Sequence, residues 1–158
     1  MAQRKKRMKK SASLPKFTND QYLEFLRTVQ LRGMGMEQGS FAIQRPLLGA
    51  AIKEGKQIQT GFATKYELQV DEPNQFVVMA VTEVKQRVTD SETDIASINC
   101  VFTALFECEP GAVTSLREQF AQNQAKIILW PFIRQFVTEA SNHMSVAQIL
   151  LPVVVLSE

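Results

Sequence analysis

The side chains that most often carry out catalysis or bind metals are scarce in this sequence. It contains two cysteines, Cys100 and Cys108, and one histidine, His143. A nucleophilic serine or cysteine usually needs a histidine beside it, and a zinc site needs about four Cys, His or carboxylate ligands at close spacing. We therefore predict no enzyme activity, no metal site and no cofactor. We interpret His143 as a surface or helix-capping residue, because a cation suits the C-terminal end of a helix.

Acidic clusters and glycines are the remaining chemical candidates. Asp71-Glu72 and the group from Asp90 to Asp94 both fall in predicted turns. Carboxylates in turns are ordinarily solvated, so neither group predicts acid–base catalysis. Gly33-Met34-Gly35 lacks the third glycine and the lysine that phosphate-binding loops use.

The two cysteines are not predicted to form a disulfide within the chain. Both fall in one predicted strand, and eight residues of strand span about 26 Å. The Cα atoms of a disulfide are within roughly 7 Å of each other.

A short helix is predicted from Thr18 to about Thr28. Thr18 and Gln21 have the spacing of a capping box, in which each side chain bonds the backbone N–H of the other residue. Apolar residues spaced three and four apart then give the helix a face for the core.

Four segments have the two-residue period of β-strands. The first starts at Val29, and its apolar side chains change sides near Gly33 and Gly35, which predicts a β-bulge there. Turn residues join the next two strands as an antiparallel hairpin, and the stretch after the first strand is predicted to be weakly structured. The later strands are Phe62 to Val70, Gln75 to Val88 and Ile98 to Cys108, and the weakly structured stretch is Leu47 to Lys56.

The clearest helix signal lies in the C-terminal third. Ser115 and Glu118 have the spacing of a second capping box, and apolar residues from Ala125 to Met144 follow the helical period. Pro131 is expected to kink this helix or to mark the start of its longer part. The sequence thus predicts an α+β fold, with a four-stranded antiparallel sheet and a long C-terminal helix in a single domain of residues 17–158.

Both faces of the predicted sheet carry apolar residues. Val77, Met79 and Val81 lie opposite the main apolar face of their strand. One helix layer covers only one side of a sheet, so the second face indicates an oligomer or a ligand surface. The ten Phe and six Met residues suit a surface that binds many apolar sequences, although core packing is the alternative for each of them.

The charges are distributed unevenly. The first sixteen residues carry seven basic side chains and no acidic one, whereas the rest has eleven basic and sixteen acidic residues. We interpret residues 1–16 as a disordered basic arm. No secretory signal or membrane-spanning stretch is predicted, which indicates a cytoplasmic protein without membrane insertion. The candidates for contact with nucleic acid or an acidic partner are Arg4, Lys5, Lys6, Arg7, Lys9 and Lys10.

The segment Ile128 to Arg134, with Trp130-Pro131-Phe132 at its centre, resembles the I-L-F-P-Y-x-R signature of the SecB family of export chaperones. Ile149 to Pro152 is similar to the Leu-rich, Pro-containing extension that follows the long helix in that family. The resemblance implies a dimer of dimers with helices packed between sheets. It also implies a holdase that binds unfolded polypeptides in long apolar grooves without ATP.

The resemblance allows residues to be assigned to these surfaces as a hypothesis. The client-binding groove would be lined by Phe41, Phe62, Met79, Phe102, Trp130 and Phe132. The oligomer interface would include Ile128, Phe136 and Ala140.

The ends of this chain depart from the export chaperones. Those proteins use an acidic surface and a mobile C-terminal tail to engage the SecA motor, so the basic N-terminus argues against docking to SecA. SecB-like chaperones that protect an antitoxin in toxin–antitoxin modules vary more at their ends, and the sequence leaves both export and antitoxin protection open. An oligomeric nucleic-acid-associated protein that uses the basic arm is a further alternative, and its binding would weaken steeply with salt.

Overall fold

The computed structural model describes residues 17–89, 91–144 and 149–153, and the predicted basic arm lies outside these ranges. The sheet has the strand order β1-β4-β3-β2, and every neighbouring pair is antiparallel. The predicted α+β class, with a four-stranded antiparallel sheet and a long C-terminal helix, is confirmed. The elements are α1 (Asn19–Thr28), β1 (Gln30–Ile43), α2 (Arg45–Lys53), β2 (Ile58–Glu72), β3 (Gln75–Val88), β4 (Asp94–Glu107) and α3 (Thr114–Met144).

Helix α1 begins at the predicted capping box. The Thr18 backbone N–H donates to Gln21 Oε1 at 2.8 Å, and the Gln21 backbone N–H donates to Thr18 Oγ1 at 3.3 Å. Tyr22 and Phe25 are buried on the face that meets the core. The helix therefore starts and packs as the sequence predicts.

Strand β1 is bent by two register shifts against β4. One lies between Leu31 and Gly33, next to the predicted position, and the other lies between Met36 and Gln38 instead of at Gly35. Each shift inserts one residue and so reverses the side on which later residues face. As a result, the unevenly spaced Leu31, Met36 and Phe41 all lie on the side of the sheet that α3 covers.

The prediction that the stretch after β1 is weakly structured is wrong, because Arg45–Lys53 forms helix α2. Pro46 lies in its first turn, where a missing N–H costs nothing. Arg45 Nη2 donates to the Met144 carbonyl at 3.3 Å and so joins α2 to the end of α3. Nine residues are too few to show a helical period, and Gly49 lowers helix propensity, so the sequence does not reveal this helix.

The core lies between α3 and one face of the sheet. Phe76, Phe106 and Phe120 pack with ring centroids 4.8–5.5 Å apart, in stacked and edge-to-face pairs. Val78, Ala80 and Val84 are buried on the same side of β3 as Phe76, as predicted. The opposite side of β3 is left without a helix among the described residues.

Helix α3 differs from the prediction at its start, and one of the two alternatives predicted for Pro131 is excluded. It begins at Thr114, so Ser115 lies inside its first turn and does not act as the N-cap. Pro131 lies within one continuous helix of 31 residues and does not mark the start of its longer part. The Pro131 ring is exposed, so its main local effect is the loss of one helical N–H.

Arg117 joins the β2–β3 hairpin to the first turn of α3. Its side chain is 3% exposed and forms an ion pair with Asp71, and its Nη2 donates to the Pro73 carbonyl at 2.9 Å. The guanidinium also lies 5.7 Å from the Phe76 ring centroid. Burial raises the pKa of Asp71, but hydrogen bonds from Thr114 and Arg117 and the Arg117 charge outweigh it, and the pKa lies below its usual value.

Gly39 allows α3 to approach β1 closely. A Cβ atom at Gly39 would lie 2.7 Å from Phe136 Cζ and 3.0 Å from Met36 Sδ. We expect Gly39→Ala to lower the free energy of unfolding by about 1–3 kcal/mol, because the Phe136 ring must move. The measurement is urea unfolding followed by the fluorescence of the single tryptophan. The control is Gly35→Ala, where no atom lies within 4 Å, and equal stabilities of the two variants would contradict the close contact.

Candidate functional site

A cleft of about 410 Å³ lies between the edge strand β2 and helix α3. Phe62 is 46% exposed on this strand, and its ring centroid is 5.8 Å from that of Trp130 on the helix. Phe62 pairs with the buried Val84, so it lies on the helix side of the sheet but at the edge. The fold therefore leaves a large apolar side chain at the rim of a cleft.

An extended segment, Ile149–Val153, lies along α3 beside this cleft. Ile149 and Leu151 are buried, whereas Leu150 and Val153 are 70% and 68% exposed. Ile149 and Leu151 therefore face the protein, and beyond them Pro152 and Val153 are both exposed. Pro152 and Val153 form part of the cleft lining.

Three side chains of α3 bind the backbone of this segment. Trp130 Nε1 donates to the Pro152 carbonyl at 2.8 Å, and Arg134 Nε donates to the Leu151 carbonyl at 3.1 Å. The Ile149 backbone N–H donates to Ser141 Oγ at 3.2 Å. Trp130 and Arg134 are four residues apart and so lie on one side of the helix.

Tyr66 forms part of the same cleft lining. Its side chain is buried, and its hydroxyl has no hydrogen-bond partner among the residues that the structure describes. Burial raises the pKa of Tyr66 to about 12, so the hydroxyl keeps its proton at neutral pH. An unpaired buried hydroxyl is costly, and this oxygen is shielded from solvent, so Tyr66 contributes to the cleft through the rest of the residue.

The opposite edge of the sheet also exposes apolar residues. Leu31, Met36 and Phe41 of β1 are 44–49% exposed. The Phe41 ring stacks on His143 with centroids 6.1 Å apart and an interplanar angle of 9°. His143 is exposed in the last turn of α3, as predicted for a surface histidine.

A row of apolar residues runs along α3 on its β1 side. Ile128, Phe132 and Phe136 are spaced four apart, and Phe132 is 41% exposed. Phe136 is half-buried above Phe102, with ring centroids 6.5 Å apart. Ala140 is 2% exposed in the core, so it offers almost no surface of its own.

The helix-free face of the sheet carries a strip of apolar side chains. Val77 pairs with Leu105 and Val81 pairs with Val101 across β3 and β4. Val81 and Leu105 are each 37% exposed. Met79 lies on this face, since it pairs with Thr103 in the same register.

The structure brings only part of the predicted groove together. Phe62 and Trp130 are adjacent, whereas Phe41 lies at the other edge, Phe102 lies beneath α3 and Met79 lies on the other face of the sheet. Phe132 is exposed on the helix. The sequence alone does not predict that Tyr66, Arg134 and the segment Ile149–Val153 lie at one site. The predicted basic contact residues lie outside the described ranges.

The described residues show few of the features used for catalysis. Both thiols are free and buried, and burial raises the pKa of Cys100 to about 11, so this thiol is protonated at neutral pH. No group of three or more His, Cys, Asp or Glu within these ranges is arranged to hold a metal ion. No helix in the described part of the chain has both the length and the apolar composition needed to cross a membrane.

Comparison with known proteins gives a match in structure but not in sequence. No protein-family profile and no curated protein matches the sequence. The Mycobacterium tuberculosis SecB-like chaperone Rv1957, solved in complex with a ChAD peptide from the HigA1 antitoxin Rv1956, superposes with a TM-score of 0.71 at 16% identity, over 84% of this chain and 95% of that one. A Streptococcus agalactiae protein of unknown function has 12% identity and a TM-score of 0.45 over 79% of this chain and 97% of that one, too low for any inference. The chain therefore has a SecB-like fold.

Proposed function

We propose that this chain, whose fold is SecB-like, is an ATP-independent holdase chaperone for unfolded or aggregation-prone polypeptides. The observation that carries the proposal is the cleft between β2 and α3, where exposed Phe62 lies beside Trp130 and an extended segment of chain already lies along the helix. A surface that holds this segment by two buried side chains and by hydrogen bonds to its backbone is suited to holding other segments.

Binding at this surface would need little sequence specificity. Burial of apolar area contributes about 25 cal/mol per Å², whichever apolar side chain supplies it. Phe62 and Trp130 form the centre of the proposed groove. Phe41 at the β1 edge and Met79 on the helix-free face belong to separate apolar surfaces, Phe102 supports α3 from beneath, and Phe132 lies in the apolar row on the β1 side of the helix.

The same proposal includes assembly into a dimer of dimers through α3. Ile128 and Phe136 lie in the apolar row on the β1 side of the helix, which is suited to pack against a second copy. Ala140 is buried beneath this row and holds the helix close to the sheet. In such an assembly, the exposed part of this row would be covered by a second copy.

The proposal also extends to the kind of client. The superposed chaperone was solved with a peptide from an antitoxin, which supports a short polypeptide segment as the client of this fold. We propose a specialised client of this kind in the cytoplasm, with general export as the alternative and without docking to the SecA motor.

The experiment that tests the proposed function measures aggregation of a chemically denatured protein after dilution into buffer. We expect this chain, at about equimolar subunits, to suppress the increase in light scattering without nucleotide, because apolar burial alone drives binding. Light scattering after size-exclusion chromatography should give the mass of a tetramer. Unchanged aggregation would contradict the holdase, and a monomer at micromolar concentration would contradict the assembly.

A further inference from the structure

The segment Ile149–Val153 is held by contacts that do not depend on most of its side chains. Trp130 and Arg134 donate to main-chain carbonyls, and Ser141 accepts from a main-chain N–H. Every extended polypeptide presents carbonyls and N–H groups of this kind. Only Ile149 and Leu151 insert apolar side chains, and any aliphatic residue offers similar burial.

We infer that Trp130 and Arg134 form a site that binds the main chain of an extended polypeptide, and that residues 149–153 occupy this site as an internal substitute for the client. The inference rests on the proposed function, since it names the part of the groove that binds the client backbone. The C-terminal segment then competes with the client, and displacement of the segment is part of binding.

The cleft next to this segment offers further surface to a client. Pro152 and Val153 line it together with Tyr66, Gln122 and Lys126. A client that displaces residues 149–153 would meet this cleft, and there the Gln122 and Lys126 side chains would bind its polar groups.

Competition of this kind has a measurable consequence for affinity. When only a fraction of the molecules has an open site, the dissociation constant for the client rises by the inverse of that fraction. An internal segment that is docked in about nine of ten molecules therefore weakens client binding about tenfold. Release of the segment should therefore lower the dissociation constant for the client about tenfold.

The test uses the full chain and a permanently unfolded probe, reduced and carboxymethylated α-lactalbumin carrying a fluorophore. Leu151→Ser removes the buried anchor of the segment, and we expect it to bind the probe about tenfold more tightly than the natural chain. Leu150→Ser is the matched control, because Leu150 is 70% exposed. The affinity of this variant for the probe should be the same as that of the natural chain. Ser141→Ala is a second variant. It removes the hydroxyl that accepts the Ile149 backbone N–H and so loosens the segment, and it should also bind the probe more tightly.

Hydrogen exchange provides the readout that separates displacement from a change in folding. In the natural chain, saturating probe should accelerate exchange at the Ile149 amide, whose N–H donates to Ser141 Oγ, while the amides of β3 stay protected. Tighter binding together with this acceleration supports the inference. Weaker binding by both Leu151→Ser and Ser141→Ala, or unchanged exchange in the bound state, would overturn it, because the segment would then be part of the client surface. Absence of probe binding by the natural chain would instead contradict the proposed function.

Discussion

Replacement of Arg117 by methionine should lower the free energy of unfolding by about 3 kcal/mol, the lower end of the range for breaking a buried ion pair. Arg117 is 3% exposed, whereas Asp71 is 28% exposed and keeps some solvation when it loses its partner. Methionine fills much of the space, so the loss comes mainly from the uncompensated Asp71 carboxylate and the hairpin carbonyls. Equilibrium urea unfolding at fixed protein concentration measures this change.

Acid should weaken the stabilisation that the Arg117–Asp71 ion pair provides. The pKa of Asp71 in the folded chain lies below its ordinary value of 3.8, so the stabilisation is fully present above that value and is lost as pH falls through the folded pKa. The control is Arg32→Met, which breaks the exposed ion pair with Glu107 and should cost less than about 1 kcal/mol. If both variants cost the same, Arg117 does not act as a buried link between the hairpin and α3.

Replacement of Phe62 by serine should weaken binding of an unfolded polypeptide by roughly thirtyfold, and loss of the buried half of the ring should lower the free energy of unfolding by about 2 kcal/mol. The ring is 46% exposed in the chain alone, so about half of its apolar area is still available for burial by a client. That area contributes about 2 kcal/mol at 25 cal/mol per Å², which corresponds to the expected change in the dissociation constant. Fluorescence anisotropy of a labelled unfolded polypeptide measures it.

Leu23→Ser is the matched control for Phe62→Ser. Leu23 is 47% exposed on α1 and is not among the residues that line the cleft. Its replacement should leave client affinity unchanged. Equal losses of affinity in the two variants would indicate non-specific binding to exposed apolar residues instead of a groove beside β2. Unchanged affinity in both variants would exclude Phe62 from the site.

The sequence predicts the elements whose signals are local. Strand β3 is predicted over its whole length, Gln75–Val88, because its alternation is regular, and α1 is located by the reciprocal bonds of Thr18 and Gln21. The second bulge of β1, near Glu37, could not be predicted from glycine alone, because the residue at a bulge need not be glycine. Ser115 has the right spacing for a cap, but the helix starts one residue before it.

The candidate site is harder to predict because it depends on which strands become neighbours. Alternation shows that Met79 and Val78 face opposite ways, but it does not show that Phe62 on the edge strand would lie beside Trp130. That pairing follows from the strand order β1-β4-β3-β2 and the path of α3. The acceptors for Trp130 and Arg134 are backbone carbonyls, which every residue carries, so no residue type in the sequence marks them.

We propose above all that this chain binds unfolded polypeptide selectively and without nucleotide. The most direct measurement compares the affinity for one labelled polypeptide in two states, native α-lactalbumin and its reduced, carboxymethylated form, with and without ATP. We expect micromolar or tighter binding of the unfolded form, at least about a hundredfold weaker binding of the native form, and no effect of ATP, because the native form buries the apolar residues that the groove would hold. Equal affinity for both states, or binding that requires ATP, would contradict the claim.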